Sequence, residues 1–139
     1  MQIKIKKMNQ NATLPTKGTL GAAGFDLTAV SQKITSKYIE YGTGLSFELP
    51  DDHVGLLFQR SSVSNKDVSL SNAVGVLDSD YRGEVTFRYR YKNLDDDIYK
   101  IGEKIGQIVI MPIPKVSFFE SDNLDITQRG AGGYGSTGN

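Results

Sequence analysis

The stretch EVTFRYRY (84–91) alternates strictly. Val85, Phe87, Tyr89 and Tyr91 fall on one side, Thr86, Arg88 and Arg90 on the other. Successive strand side chains point to opposite faces, so this segment buries one face only as a half-buried β-strand. IKIKK (3–7), HVGLLF (53–58), IGQIVIMPI (105–113) and KVSFFE (115–120) read as further strands, with Pro112 and Pro114 ending the third of these runs. Turn signals such as YGTG (41–44), LPDD (49–52) and NLDDD (93–97) recur at short spacing, which favours a sandwich or closed barrel. The only helical segment expected is a turn or two after Arg60, where SSVSNK (61–66) offers a Ser N-cap. The expected fold is all-β, over residues 1–128, followed by a glycine-rich arm, RGAGGYGSTGN (129–139).

With 139 residues, one domain is the natural expectation, and a chain of this size buries roughly two-thirds of its unfolded surface. Sixteen basic and sixteen acidic residues cancel. No global field then favours nucleic acid or an anionic membrane, and any anion site must be local. The chain has no cysteine and one histidine, which excludes disulfides and Cys-based metal sites and nearly excludes a His-activated nucleophile. His53, in PDDHVG, reads as a solvated loop histidine. Met1 opens no secretory pattern and no apolar run approaches membrane-spanning length, so a soluble cytoplasmic protein is expected.

Five polar clusters exceed what the strand pattern needs. AAGFDL (22–27) places Asp26 after a glycine and an aromatic; it suits a turn, or a hard cation reached through water. FQRSSVS (58–64) puts Arg60, Ser61 and Ser62 at a strand end, where a guanidinium, hydroxyls and free N–H groups make an anion cradle; an ordinary capped turn uses the same residues. SNAVGVLDSDYRGE (71–84) is the densest and suits a β-hairpin. Asp78 follows the apolar run VGVL, so a partly buried strand end is expected, where a carboxylate can be tuned as a general base. In GEKIGQ (102–107), Gln107 lies in an apolar strand and must find hydrogen-bond partners in protein or ligand. In the arm, consecutive glycine amides can approach phosphate oxygens closely, although a solvated tail has the same composition. With no nucleophile in these clusters, water is left as the attacking group.

In this order and spacing, AGFDL, RSS, GVLDSDYRGE, GEKIGQ and RGAGGYGSTG resemble the five motifs of the homotrimeric dUTP pyrophosphatases (dUTPases), from about residue 13 to the last. YGTGLSFELP (41–50) is similar to the threonine-glycine strand of that family. The resemblance implies a jelly-roll-like β-barrel with a flexible C-terminal arm, a trimer with sites at subunit interfaces, and Mg²⁺-dependent hydrolysis of dUTP to dUMP and pyrophosphate. That activity keeps uracil out of DNA. It further implies that Asp78 is the general base and that Tyr81 packs under the deoxyribose. Asn72, Gly75, Val76 and Leu77 would belong to the hairpin reading the uracil edge. Asp26 would hold the metal through water. Arg60, Ser61 and Ser62 would position phosphates, Gln107 the α-phosphate and Arg129 the γ-phosphate. Tyr134 would stack on uracil, with Gly135 and Ser136 as further arm contacts.

Departures from the family pattern are small. Gln59 replaces the usual proline and could loosen the strand presenting Arg60; Leu77, Gly106 and Tyr134 stand for isoleucine, alanine and phenylalanine. The related dCTP deaminases carry a catalytic glutamate near position 88, where this chain has an arginine that cannot do that proton transfer. A regulatory protein partner, found for some phage-type members, would be an addition to catalysis.

Overall fold

The computed structural model describes residues 1–93 and 97–133. Among them ten short strands form: β1 (Lys4–Lys7), β2 (Phe25–Thr28), β3 (Ser31–Ile34), β4 (Ile39–Gly42), β5 (Leu45–Glu48), β6 (His53–Phe58), β7 (Val68–Leu70), β8 (Gly75–Leu77), β9 (Thr86–Tyr91) and β10 (Lys104–Pro112). A 3-10 turn, Ser61–Asn65, joins β6 to β7. No helix among the described residues is long and apolar enough to cross a membrane.

Two four-stranded sheets, ordered β2-β10-β6-β8 and β3-β4-β9-β7, and a two-stranded pair β1-β5 make up the fold. Every pairing is antiparallel, and most sheet neighbours are distant in sequence. Both sheets contribute to one buried cluster: Leu27, Leu57, Leu77, Ile105 and Ile108 from the first, Ile39, Tyr41, Val68, Leu70, Phe87 and Tyr89 from the second. Two facing sheets with long-range crossovers are the jelly-roll-like architecture expected. Strand β9 behaves as its pattern dictates, with Phe87 and Tyr89 buried and Arg88 and Arg90 exposed. Two of the buried tyrosines also satisfy their polar ends, which burial demands. The Tyr41 hydroxyl donates to the Tyr99 carbonyl at 2.8 Å, and that of Tyr89 to the Ile105 carbonyl.

Four expectations need correction. Residues 115–120 form no strand in this chain; Phe118 and Phe119 are 96% and 88% exposed. No strand of the described residues pairs with them, so among these residues their side chains have no sheet to pack on. The segment after Arg60 is a five-residue 3-10 turn with Arg60 at the cap position and no side-chain cap bond. His53 opens β6 with its side chain only 13% exposed and Nδ1 2.6 Å from Asp52 Oδ1, so it is no solvated loop residue. YGTG is less a turn than a strand end, since Tyr41 and Gly42 belong to β4.

Candidate functional site

Asp26 sits mid-strand in β2, where Leu27 turns into the core and Asp26 away from it. Its backbone is held on both sides. It exchanges hydrogen bonds with Thr16 (2.7 and 3.3 Å) and pairs with Gln107 across the β2–β10 ladder. Its carboxylate is gripped by two cations: Arg60 Nε lies 2.8 Å from Oδ1 and Lys104 Nζ 2.9 Å from Oδ2. Arg60 Nη1 also reaches Ser62 Oγ at 3.3 Å. Two cations on one carboxylate leave a net positive centre in an otherwise neutral chain, suited to phosphate.

Lys104 was not among the residues expected here. In a regular strand Lys104 and Gln107, three apart, face opposite ways. A register shift between Lys104 and Gly106 inserts an extra residue in β10. Beyond such a bulge the alternation flips, so Ile105 and Ile108 both enter the core while Lys104 and Gln107 share the Asp26 side. The bulge therefore assembles the cluster. Gln107 Nε2 donates to the Gln59 carbonyl at 3.0 Å, and Gln59 Oε1 accepts the Leu70 N–H at 3.0 Å. Gln59 thus fastens the strand end that carries Arg60, contrary to the loosening expected of it. Gly24 leaves room for Gln107: a Cβ there would meet the Gln107 amide oxygen at 2.2 Å.

The other expected residues lie elsewhere. Strand β8 is the edge of its sheet, with β6 on one side only, so the outer side of residues 75–77 presents backbone donors and acceptors. Asp78 follows directly, and the Tyr81 N–H returns to the Asp78 carbonyl at 3.2 Å in a turn braced by Arg82 on the Ser79 and Tyr81 carbonyls. Asp78 is at a strand end, as expected, but exposed where partial burial was expected. Tyr81 is half exposed. A cavity of about 350 Å³ opens beside Asn72 and Gly75, floored by Leu57, Leu70 and Phe87. A larger one, about 700 Å³ between Lys66–Ser69 and Arg90–Asn93, contains none of the expected site residues. Arg88 pairs with Glu40 at 2.7 Å on the other sheet, so no carboxylate occupies that position.

Register separates the two groups. Leu77 pairs with Gly55 and Gln107 with Phe58, so Asp78, one residue beyond Leu77, lies toward the start of β6 and Gln107 at its end. Continuing the register by one residue sets Asp78 beside Val54, four strand steps from Phe58, about 13 Å at roughly 3.3 Å each, and Arg60 lies beyond that end. Within one chain Asp26, Arg60, Ser62 and Gln107 come together, and Asp78 and Tyr81 do not join them. Arg129 is exposed and donates to the Gly132 carbonyl at 2.8 Å. Tyr134, Gly135 and Ser136 lie outside the described residues.

The fold and these groups define a small double-sheet β protein with a cation-flanked carboxylate at one end of a sheet and an acidic hairpin at the other. This chain belongs to the dUTPase family, whose model matches residues 10–138. It is 40% identical to the deoxyuridine 5'-triphosphate nucleotidohydrolase of Desulfitobacterium hafniense, over 98% of this chain and 97% of that protein. It is 38% identical to that of a Hydrogenobaculum species, over 99% of both. The solved dUTPase of Staphylococcus bacteriophage 80alpha with dUPNHPP superposes with a TM-score of 0.83 at 23% identity, covering 99% of this chain and 98% of that one. A phage phi11 dUTPase, described with a structural Mg(II) ion, superposes at 0.76 with 19% identity over 91% of this chain and all of that one.

Proposed function

We infer that this chain hydrolyses dUTP to dUMP and pyrophosphate at sites completed by neighbouring copies of itself. The observation that carries the reading is the separation of the phosphate-suited cluster from the Asp78 hairpin across one sheet. One chain holds two half-sites, and a symmetric oligomer can bring unlike halves together. The exposed apolar run through Val116, Phe118, Phe119, Leu124 and Ile126 supplies surface for such an assembly. A homotrimer is the assembly proposed, with the arm from residue 129 closing over the site. Eleven extended residues reach about 35 Å, enough to cross between subunits.

In the completed site Arg60, Ser61, Ser62 and Gln107 hold phosphate oxygens, joined by Arg129 from the arm. Asp78 takes a proton from water as the water oxygen attacks the α-phosphorus, and pyrophosphate leaves in line. Such displacement needs little covalent help, mainly positioning and neutralised charge. The outer edge of Gly75, Val76 and Leu77, with Asn72, reads uracil by backbone groups. Cytosine leaves some of these unpaired, which is the strong form of discrimination. Tyr81 supports the deoxyribose, and Tyr134, Gly135 and Ser136 close the far side.

Both Asp26 oxygens are engaged, and among the described residues no group of three or more His, Cys, Asp or Glu could hold a metal. Asp26, held between Arg60 and Lys104, would take Mg²⁺ through the ion's own water, in keeping with its preference for keeping waters. Bound there, the ion neutralises charge developing on the phosphates.

The test is a panel of nucleoside triphosphates assayed for pyrophosphate release with and without Mg²⁺. dUTP turnover should exceed that of dCTP, dTTP and UTP and require the metal. Ammonia release from dCTP, or equal turnover of all four, would overturn the reading.

A further inference from the structure

Tyr99 lies just before β10 and is 2% exposed. Its ring is well held, with Tyr41 edge-on at 6.1 Å, Tyr89 tilted at 5.3 Å and the Lys66 ammonium 5.4 Å from its centre. Yet its hydroxyl is, among the described residues, the one buried side-chain polar atom without a hydrogen-bond partner. Such a group is costly to bury, so an unpaired one asks for a reason.

The backbone around it points to the reason. The Asp67 N–H donates to the Asp97 carbonyl at 3.1 Å and Lys66 Nζ to the Ile98 carbonyl at 3.4 Å. Residues 97–99 are thereby clamped against the end of the 3-10 turn that carries Ser61 and Ser62. The Tyr99 hydroxyl interacts with Ser62 and feels the charge of the Arg60 guanidinium, without reaching full hydrogen-bonding geometry with a partner. Burial pushes the phenol pKa up, so at neutral pH it is a donor.

We propose that Tyr99 is a positioning residue for the phosphate-binding turn, donating its hydroxyl to Ser62 Oγ when substrate occupies the site. A serine hydroxyl has one proton and two acceptor sites. Arg60 Nη1 already uses one acceptor site. With Tyr99 on the other, both acceptor sites face protein donors and the Ser62 proton is left for an anionic phosphate oxygen. The turn is then aligned for phosphate before catalysis begins. The inference rests on the dUTP-hydrolysing reading above, because it needs a phosphate at Ser62.

The experiment is a double-mutant cycle on the full chain: wild type, Tyr99→Phe, Ser62→Ala and the pair, each measured for kcat and KM with dUTP and Mg²⁺ and for thermal unfolding. Turnover by the wild type tests the parent reading separately from the cycle. Tyr99→Phe keeps the ring and removes only the hydroxyl. Its melting temperature should hold or rise, while kcat/KM falls by about 3–10-fold, the scale of one hydrogen bond. In the Ser62→Ala background it should add nothing. Unchanged kcat/KM in Tyr99→Phe, or an equal loss with and without Ser62, would overturn the proposal.

Discussion

Asp78 closes β8 with its carboxylate in the open, within a turn that other groups hold. Asp78→Asn should therefore leave folding and nucleotide binding intact and lower turnover on the order of 10²-fold or more, as removing a general base does. Turnover close to wild type in the same assay would show that the base lies elsewhere. Gly106 makes a stability prediction. A Cβ there would stand 2.3 Å from the Phe87 ring, which is buried and stacked 6.3 Å from Tyr89. Gly106→Ala should cost about 1–3 kcal/mol by overpacking, and that cost should shrink in a Phe87→Val background, where the ring is gone; urea midpoints of the four chains decide it. Asp26, Arg60 and Gln107 were legible as polar residues that strands do not need. Lys104 was not, because its role depends on a bulge that alternation alone does not announce.

At the scale of elements, the tyrosines tie β4, β9 and the approach to β10 together. Burial pushes the phenols of Tyr41, Tyr89 and Tyr99 above their usual value near 10. Below about pH 10 both folded and unfolded chains keep these protons, and stability is complete. Above it the unfolded chain ionises first, and stability falls by up to roughly 1.4 kcal/mol per pH unit for each phenol. The melting temperature should drop steeply above about pH 10, and Tyr89→Phe should make the drop shallower. A pH-independent melting temperature through that window would contradict the cluster's role. For the arm, removing residues 129–139 should cut dUTP turnover far more than it lowers the melting temperature. Equal turnover would show that the arm is no lid. Strands β6, β9 and β10 were legible from period two. Strands β2, β3, β7 and β8, three or four residues long, are too short to show a period. Residues 115–120 show the converse, an alternation that the single chain leaves unpaired.

For the whole molecule, the test is complementation between half-sites. Asp78→Asn and Arg60→Ala chains, each inactive alone, should regain activity when refolded together, on the order of a quarter of wild type for random assembly in a closed oligomer. A mixture that stays inactive would place both residues in one chain's site. Sequence by itself determined the all-β class, through alternation that only pleated strands can bury on one face. It also determined the family, through five motifs in order, and the need for a local anion site, through balanced charge. Tertiary structure alone decided which residues meet. The β10 bulge turns Lys104 and Gln107 to the Asp26 face, Gln59 locks the Arg60 strand end, and the β6 register sets Asp78 four strand steps, about 13 Å, from the partner of Gln107. These outcomes rest on register and long-range pairing, which depend on partners far along the chain and leave no local mark on the residues themselves.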